Sequence, residues 1–448
     1  MIDIYAPQIV TYDRRKFLGH LGIGIVGTTI LTSLPGCHTI QSIPSSSSAA
    51  AGKGSYDAST RVMVPLPQKK LDHKSEPDEE KFPEPQAPSK RTGFAIVGLG
   101  NLVLGQVLPA FGKSQYARPV ALVSGDAEKA RKVAEQYAID PKNIYNYDNY
   151  DEMRNNPDID AVYIALPNSM HHEFTIRAAQ AGKHVLCEKP MANSVRECEE
   201  MIKACKDAGR KLMIAYRIQY EPNNRLAMKW TREKKYGRAR VIEMYNGQNI
   251  GDPRQWRLKK SMSGGGAMPD VGIYCLNTCR FLLGEEPQTV FASTYSTPGD
   301  ERFTEVEESM MFQLQFPGGT IASCATSYGV HASRNYRVLA DNGGYYGLDP
   351  AFSYEGLKMN VNYSEGKEHW DAHPSVGAHD QFTLELDHMA QCIQQDKAPY
   401  TTGEEGMQDM RIIEALYLSA AERRPVELAK ISGSDVFRGT EPKEDNKI

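Results

Sequence analysis

The sequence FAIVGLGNLV at residues 94–103 runs from a short apolar segment directly into a turn that contains two glycines. Glycines at these positions let the backbone turn tightly and approach a pyrophosphate, which lies at the N-terminus of the following helix. The third glycine position of the G-x-G-x-x-G fingerprint holds Val103, so the motif is incomplete. The stretch predicts a dinucleotide-binding turn formed by Gly98, Gly100, Asn101 and Leu102.

The following segments repeat this alternation of strand and helix. Helical patterns separate most of the later apolar segments, which lie at 120–123, 144–147, 160–166, 184–187 and 211–215. Such alternation is typical of a parallel sheet with helices on both faces. We therefore predict an α/β fold whose first part, residues 92–215, is a Rossmann dinucleotide-binding domain.

The end of the second predicted strand indicates which dinucleotide is bound. An acidic residue there would bind the ribose 2′-hydroxyl of NAD and repel the 2′-phosphate of NADP. The chain has Ser124 at this point and Lys129 shortly after it, which provide space and positive charge for a phosphate. Asp126 is a counter-signal, and Lys129 has the alternative of being a solvated helix residue. The balance favours NADP, held by Ser124, Gly125 and Lys129.

Three further motifs narrow the interpretation. LPNSMH occupies residues 166–171, CEKPMA residues 187–192 and GGGAMPDVGIY residues 264–274. With these motifs the chain resembles the Gfo/Idh/MocA oxidoreductase family over about residues 92–428. Most of that family has histidine four residues after the aspartate of the third motif. This chain has Tyr274 instead, as the glucose–fructose oxidoreductase subgroup does.

The resemblance implies a sugar oxidoreductase with tightly bound NADP. Hydride transfer from a sugar hydroxyl needs a base for the hydroxyl proton. Tyr274 is the predicted base, and the ammonium group of a neighbouring Lys189 would favour the phenolate. Asp270 lies one helical turn before Tyr274 and shares its face in a helix, so it would accept a sugar hydroxyl or orient Lys189. The resemblance also implies that Arg217 lies near the nicotinamide and the substrate.

The same resemblance implies the remaining cofactor contacts, several of which follow predicted strands. Ligands of open α/β sheets bind at the carboxyl ends of the strands. The predicted contacts are Tyr147, Leu166, Pro167, Asn168, His171, Glu188, Lys189, Arg217, Trp256 and Arg257. Trp256 and Arg257 are expected to close over the cofactor. A role at the entry of a helix is the alternative for His171.

We predict no metal site. The chain has eight cysteines and none forms a CxxC pair. Cys275 and Cys279 stand four apart on a predicted helix, without the histidines or second cysteine pair that complete a zinc set. His171 and His172 are adjacent, and adjacent helix residues point in different directions. Buried, reduced thiols are therefore expected.

Residues 216–430 are predicted to form a second, α+β domain with an open and largely antiparallel sheet. Alternating segments between 286 and 340 predict its strands, and Gly318-Gly319 predicts a hairpin between two of them. The exposed face of the sheet would be the interface of a homo-oligomer, a dimer or tetramer, as the resemblance implies. Two helices and a tail follow, near 378–395, 405–423 and 431–448.

The first 52 residues predict an export signal and a tether. Arg14 and Arg15 precede an apolar, glycine-rich run, which is the pattern of a twin-arginine (Tat) signal. A membrane anchor is the alternative reading of this run. Cys37 ends a lipoprotein-like box and would be a lipid anchor, whereas the alanines at 49–51 offer a different peptidase site. The mature protein is expected in the periplasm or cell envelope.

Residues 53–91 form a proline-rich arm. They contain six prolines and few apolar residues, so they cannot build a core of their own. The arm is either a solvated linker or an extended segment lying on another surface. The formal net charge of −4 and the scattered basic residues argue against nucleic acid as a partner, and small-molecule sugars are expected instead.

Three other functions remain open from the sequence. An ordinary dehydrogenase would exchange NAD(P) with solution, and a glycosidase or lyase would oxidise its substrate transiently. A sugar-binding or redox-sensing protein would have no turnover. Lys189, Asp270 and Tyr274 together favour an enzyme. We expect one sugar to reduce the bound NADP and leave as a lactone, and a second sugar to reoxidise the cofactor.

Overall fold

The computed structural model describes residues 86–377 and 379–442. It also describes an antiparallel pair of two-residue strands, Tyr56–Asp57 and Val62–Met63. The twin-arginine segment, Cys37 and most of the arm at 53–91 lie outside the described residues. Within the described ranges, no helix is long and apolar enough to cross a membrane.

The first domain is a six-stranded parallel sheet with helical connections. Its strands are β1 (Thr92–Val97), β2 (Ala117–Val123), β3 (Ile144–Tyr145), β4 (Ala161–Ile164), β5 (His184–Glu188) and β6 (Leu212–Ala215). Its helices are α1 (Leu108–Phe111), α2 (Ala127–Gln136), α3 (Asn168–Gln180) and α4 (Val195–Asp207). The strand order is β3-β2-β1-β4-β5-β6, so the chain reverses direction across the sheet between β1 and β4. This reversal opens a crevice at the carboxyl ends of the strands, and the predicted Rossmann domain is confirmed.

The helix after β1 explains why the third glycine is missing. Helical backbone begins at Asn101, and residues Val103–Val107 form a π-helical turn before α1. Val103 is fully buried against the sheet. A π turn is wider than an α turn, which provides space for a β-branched side chain where glycine usually permits close helix–strand packing.

The second domain contains a nine-stranded sheet. Its strands are β7 (Ala239–Asn249), β8 (Thr289–Tyr295), β9 (Ser309–Gln315), β10 (Ile321–Ser327), β11 (Gly329–Ala340), β12 (Gly344–Leu348), β13 (Met359–Glu365), β14 (Glu368–Ala372) and β15 (Val426–Glu427). Their order is β14-β13-β12-β11-β7-β10-β9-β8-β15. All neighbours are antiparallel except β7 and β10, which confirms the largely antiparallel sheet. Gly318-Gly319 lies in the β9–β10 hairpin as predicted.

One face of this sheet packs on helices and the other is open. The covering helices include α5 (Pro222–Arg232) and α7 (Ile273–Leu283), and the short α6 (Lys260–Ser263) precedes α7. Alternate residues of β9 are buried and exposed, as expected for a strand with one solvated face. Met311 on the open face is 61% exposed.

Two C-terminal helices return to the first domain. They are α8 (Gln381–Gln394) and α9 (Gly403–Glu422). In α8, the Asp387 carboxylate accepts hydrogen bonds from Ser114 Oγ and from the amides of Gln115 and Tyr116. Arg280 of α7 is fully buried and pairs with Glu286. It also pairs with Glu405 and Asp409 of α9, so it joins the two helices. Helix α7 is therefore fixed relative to both domains.

Candidate active site

Two clefts meet at the carboxyl ends of the parallel strands. The larger has a volume of about 630 Å³ and runs from the glycine turn at Gly98 along the strand ends. The second, of about 300 Å³, extends toward the sheet of the second domain. Seven residues line both clefts, among them the four predicted catalytic residues Lys189, Arg217, Asp270 and Tyr274. A ligand in the first cleft can therefore meet a ligand in the second at these four predicted residues.

Strand β5 delivers Glu188 and Lys189 to the junction. Residues 185–187 of this strand are apolar and buried, and Glu188 follows them. The Glu188 carboxylate accepts hydrogen bonds from Tyr163 Oη at 2.7 Å and from the Lys189 amide at 3.2 Å. Burial raises the pKa of this carboxyl despite these contacts. Glu188 lines the cleft, but its carboxylate is already bound by the protein.

Lys189 links the end of β5 to the helical segment that contains Asp270 and Tyr274. Its Nζ donates to the backbone oxygen of Asp270 at 2.6 Å and lies 3.5 Å from Asp270 Oδ1. It also lies 4.5 Å from the centre of the Tyr274 ring. Burial lowers the pKa of Lys189, but the charges of Tyr274, Asp270 and Glu188 outweigh it and raise the pKa. Lys189 therefore carries a positive charge beside the phenol.

The Asp270 carboxylate is held by three side chains. Tyr328 Oη donates to Oδ2 at 2.6 Å, and Arg257 Nε donates to the same oxygen at 3.1 Å. Burial raises the pKa of Asp270, but Arg257, Lys189 and Tyr328 together lower it to about 2. Asp270 is thus a fixed anion, and its Oδ1 is the oxygen left to contact Lys189 or a substrate hydroxyl.

Arg217 is almost completely buried behind Tyr274. Its Nε donates to Tyr274 Oη at 3.2 Å. Its remaining hydrogen bonds are to Gln381 Oε1 at 2.6 Å and to the backbone oxygens of Phe352 at 2.8 Å and Ser353 at 3.2 Å. The guanidinium also lies over the Tyr274 ring, 4.9 Å from its centre. Tyr274 is therefore flanked by two cations, Lys189 and Arg217.

The glycine turn fits the pyrophosphate of a dinucleotide. Gly98 has φ of +92°, and a Cβ there would lie 2.4 Å from the backbone oxygen of Ala165, so no side chain is tolerated. A Cβ at Gly100 would meet no heavy atom within 4 Å, so the turn is open on that side. The first amides of the helix that begins at Asn101 have no intrahelical acceptors. These amides and the helix dipole provide an anion site beside Gly98, Gly100, Asn101 and Leu102.

The residues predicted to bind the ribose end of the cofactor lie along the same cleft. Ser124, Gly125, Lys129 and Tyr147 all line the cleft. Asp126, the counter-signal in the sequence, accepts the Lys129 amide at 2.9 Å and is the N-cap of α2. Its Oδ2 lies 4.0 Å from Lys129 Nζ. The aspartate therefore has a structural role, and Lys129 brings positive charge to this end.

The predicted contacts near α3 also line the cleft, and their polar atoms have partners in the protein. Leu166, Pro167, Asn168 and His171 are among the lining residues. Asn168 Nδ2 donates to the backbone oxygen of Ser263 at 2.9 Å. Both ring nitrogens of His171 lie 2.9 Å from backbone oxygens, one of Pro190 and one of Leu166. His171 therefore lines the cleft and also joins two backbone segments at the start of α3, and its contact with the cofactor stays a prediction.

Trp256 and Arg257, which were predicted to close over the cofactor, both line the larger cleft. The Arg257 guanidinium lies 4.5 Å from the centre of the Trp256 ring. The hydrogen bond from Arg257 Nε to Asp270 Oδ2 was not predicted.

Sequence reasoning missed Tyr328, Tyr354 and Gln381. Tyr328 directly follows β10, and Gln381 is the first residue of α8. Tyr354 lines both clefts, and the centre of its ring lies 4.7 Å from the Arg217 guanidinium. None belongs to a local motif, because each reaches the site through long-range packing. One signal was available for Tyr328, because it directly follows a strand in which alternate residues are buried.

The described cysteines are buried and free. Cys275, Cys279 and Cys324 cluster in the core, with the last two sulfur atoms 3.9 Å apart. The described ranges contain no group of three or more His, Cys, Asp or Glu residues placed to hold a metal ion.

Comparisons with known proteins agree with this geometry. Residues 92–216 match the Gfo/Idh/MocA oxidoreductase family, NAD-binding Rossmann fold, and residues 214–428 match the C-terminal α/β domain of the same family. The chain belongs to this family. It is therefore an oxidoreductase with a domain for a nicotinamide dinucleotide, and the family predicted from the motifs is confirmed.

Relatives within the Gfo/Idh/MocA family include sugar-converting enzymes. The D-xylose 1-dehydrogenase [NADP(+)] of Haloarcula marismortui is 32% identical over 78% of this chain and 97% of its own length. The D-xylose 1-dehydrogenase (NADP(+)) 2 of Haloferax volcanii is 28% identical over 75% of this chain and 99% of its own. Among solved structures, the aldose–aldose oxidoreductase from Caulobacter crescentus is 44% identical in sequence to this chain. The two structures match with a TM-score of 0.73 over 75% of this chain and all of that chain.

Proposed function

We propose that this protein is an exported sugar oxidoreductase that retains NADP, oxidises an aldose to its lactone and reduces a second sugar. The observation that carries the proposal is the meeting of two clefts at Lys189, Arg217, Asp270 and Tyr274. One cleft fits a dinucleotide, and the other is lined mainly by amide, guanidinium, carboxylate and hydroxyl groups suited to a sugar.

Tyr274 is the acid–base group of the proposed reaction. Bound NADP supplies the acceptor for the hydride that leaves the sugar carbon. Tyr274 Oη takes the proton of the sugar hydroxyl, while Lys189 and the Arg217 Nε–H stabilise the phenolate that accepts it. Asp270 is fixed as an anion by Arg257 and Tyr328, and it positions Lys189 and a substrate hydroxyl.

The same group serves the second half of the cycle. The aldose loses two electrons and two hydrogens and leaves as a lactone, and a second sugar gains the same as it becomes an alcohol. Tyr274 Oη returns its proton to the carbonyl oxygen of this second sugar. The protein therefore ends the cycle in its initial protonation state, without a net change in the cofactor.

NADP preference is supported by the ribose end and by the relatives. Ser124 and Lys129 line this end of the cleft, and Asp126 is occupied as a helix cap. Two of the relatives are named as NADP(+) enzymes. An ordinary dehydrogenase with exchanging cofactor is the second candidate, because those two relatives are dehydrogenases. The aldose–aldose oxidoreductase likeness favours the two-sugar cycle.

Export and assembly complete the proposal. The twin arginines at 14–15 and Cys37 support Tat-dependent export to the periplasm or cell envelope, with lipidation of Cys37 as one form of the mature protein. The open sheet face exposes Phe291, Tyr295 and Met311, which supports a homo-oligomer, a dimer or tetramer. Fractionation of cells and light scattering of the purified protein test these two points.

The two-sugar cycle has a direct test. Purified protein without added nucleotide is mixed with D-glucose alone, and absorbance at 340 nm is followed. The proposal predicts a rise equal to the bound cofactor, followed by a fall when a second aldose is added in excess. If absorbance rises only when NADP is supplied continuously, the exchanging dehydrogenase is the correct function.

A further inference from the structure

The substrate cavity contains more positive than negative charge. Its lining includes four cations and one carboxylate, which are Lys189, Arg217, Arg257, Arg334 and Asp270. The other lining groups are neutral, mainly amides and aromatic rings. The partners of each cation decide whether this positive charge reaches the ligand.

Three of the four cations are committed to the protein. Lys189 and Arg257 both contact the Asp270 carboxylate. Arg217 donates to Tyr274 Oη, to an amide oxygen of Gln381 and to two backbone oxygens. These groups hold the acid–base machinery in place and have few N–H groups left for a substrate.

Arg334 differs from the other three. It lies on β11, and its Nη2 donates to the amide oxygen of Gln248 at 3.2 Å. Among the described residues, no Asp or Glu forms an ion pair with it, and its Nε and Nη1 groups have no side-chain acceptor. Arg337, three residues later on the same strand, is exposed and pairs with Glu243 at 2.6 Å. The two arginines differ in that Arg334 is half-buried, lines the cavity and has no carboxylate partner among the described residues.

We propose that the sugar bound in this cavity carries an anionic group, and that Arg334 is the residue that recognises it. This inference rests on the proposed function and names the substrate class of the same site. The shared chemistry is a terminal oxyanion, supplied either by the carboxylate of a uronic acid or by the phosphate of a sugar phosphate. A guanidinium donates two parallel hydrogen bonds to such a group through Nη2 together with either Nε or Nη1. Gln248 accepts from Nη2 of Arg334, and Nη2 has two N–H groups, so its second N–H and the neighbouring Nε or Nη1 N–H provide that pair of donors.

The amides around Arg334 fit the rest of the ligand. Gln248 fixes one edge of the guanidinium, and Asn246, Asn249 and Gln255 also line the cavity. Amides donate to and accept from sugar hydroxyls without regard to charge. The reacting carbon must lie at Tyr274, so the oxyanion belongs to a part of the sugar away from that carbon.

The test compares three substrates on the cofactor-loaded enzyme. These are D-glucose, D-glucuronate and D-glucose 6-phosphate, with kcat/KM measured for each and Kd for glucuronate measured by calorimetry. The substitutions are Arg334→Gln, Arg334→Lys and the matched control Arg337→Gln. A charge-assisted hydrogen bond predicts that the native enzyme prefers one of the anionic sugars over glucose by about 10- to 100-fold. The preferred anion identifies carboxylate or phosphate as the group.

The variants assign that preference to Arg334. Arg334→Gln is expected to lower kcat/KM for the preferred anion about 10-fold or more relative to glucose, and to weaken glucuronate binding if that is the preferred anion. Arg334→Lys keeps the charge but loses the paired donors, so it should give an intermediate ratio. Arg337→Gln should leave the ratio as it is in the native enzyme.

Failure of this inference and failure of the proposed function give different results. The inference is wrong, while the two-sugar cycle stands, if kcat/KM for glucose equals or exceeds kcat/KM for both anionic sugars. The same holds if Arg334→Gln lowers kcat/KM for all three sugars by the same factor. If none of the three sugars reduces the bound cofactor, the proposed function itself is overturned.

Discussion

Replacing Tyr328 with phenylalanine isolates one buried hydroxyl of the site. Tyr328→Phe removes the 2.6 Å hydrogen bond to Asp270 Oδ2 and leaves the Arg257 contact in place. The ring stays in its apolar cluster with Ile250, Leu258 and Val271, so no large cavity forms. A hydrogen bond to an ionised group contributes about 1.5–3 kcal/mol, which corresponds to about 1–2 pKa units at Asp270.

The catalytic consequence follows from the orientation of Asp270. We expect kcat/KM for an aldose to fall about 3- to 30-fold, because the carboxylate loses part of its fixed position against Lys189. The pKa of Asp270 is about 2 in the native protein, and the variant should raise it. The acid limb of the pH–rate profile should therefore move to higher pH, which a purely structural defect would not cause.

The assay is steady-state turnover from pH 3.5 to 8 with bound cofactor, together with thermal unfolding at neutral pH. Tyr336→Phe is the matched control, because Tyr336 is a buried tyrosine whose Oη donates to Asn224 Oδ1 at 3.0 Å, away from Asp270. Equal losses of kcat/KM in the two variants, or an unmoved acid limb in Tyr328→Phe, would refute the positioning role of Tyr328.

Three further outcomes are expected. Lys189→Ala and Tyr274→Phe should each remove most turnover while the nucleotide stays bound, whereas Lys203→Ala and Tyr345→Phe, which lie away from both clefts, should retain it; near-native rates in either site variant would contradict the acid–base assignment. Ser124→Asp should admit NAD by placing a carboxylate at the ribose, and tighter binding of NAD than NADP by the native protein would show this interpretation to be wrong. Burial lowers the pKa of His184 to about 4 and of His388 to about 3, so both imidazoles are neutral when folded and take up protons on unfolding below pH ~6.5. The free energy of unfolding should therefore decrease as the pH falls from 7 to 5, and a constant value over that range would speak against buried neutral histidines.

The first domain could be predicted because its signals are local. Strands β1 and β4 contain continuous apolar runs. The turn after β1 needs glycine at position 98, because φ is positive there and a Cβ would meet the backbone oxygen of Ala165. The predicted site residues follow strand ends or lie in short motifs, so they could be proposed without knowledge of the packing, and the structure places them along the two clefts.

The remaining features depend on contacts between distant parts of the chain. Tyr328 reaches Asp270 across 58 positions, and Gln381 reaches Arg217 across 164. The strands β12–β14 were missed because their polar and aromatic residues form an edge of the sheet, where pairing with a neighbour decides the conformation. The π-helical turn at Val103 also depends on packing against the sheet, which the fingerprint alone does not encode.

The measurement that most directly tests the central claim is the nucleotide content of the purified protein. The protein is purified without added cofactor and denatured, and the released nucleotide is identified and quantified against protein concentration. The account predicts NADP at close to one equivalent per chain, together with conversion of an aldose and an acceptor sugar by the undenatured sample with no nucleotide added. Protein that is isolated empty, and that turns over only with a continuous supply of NAD(P), would contradict the account.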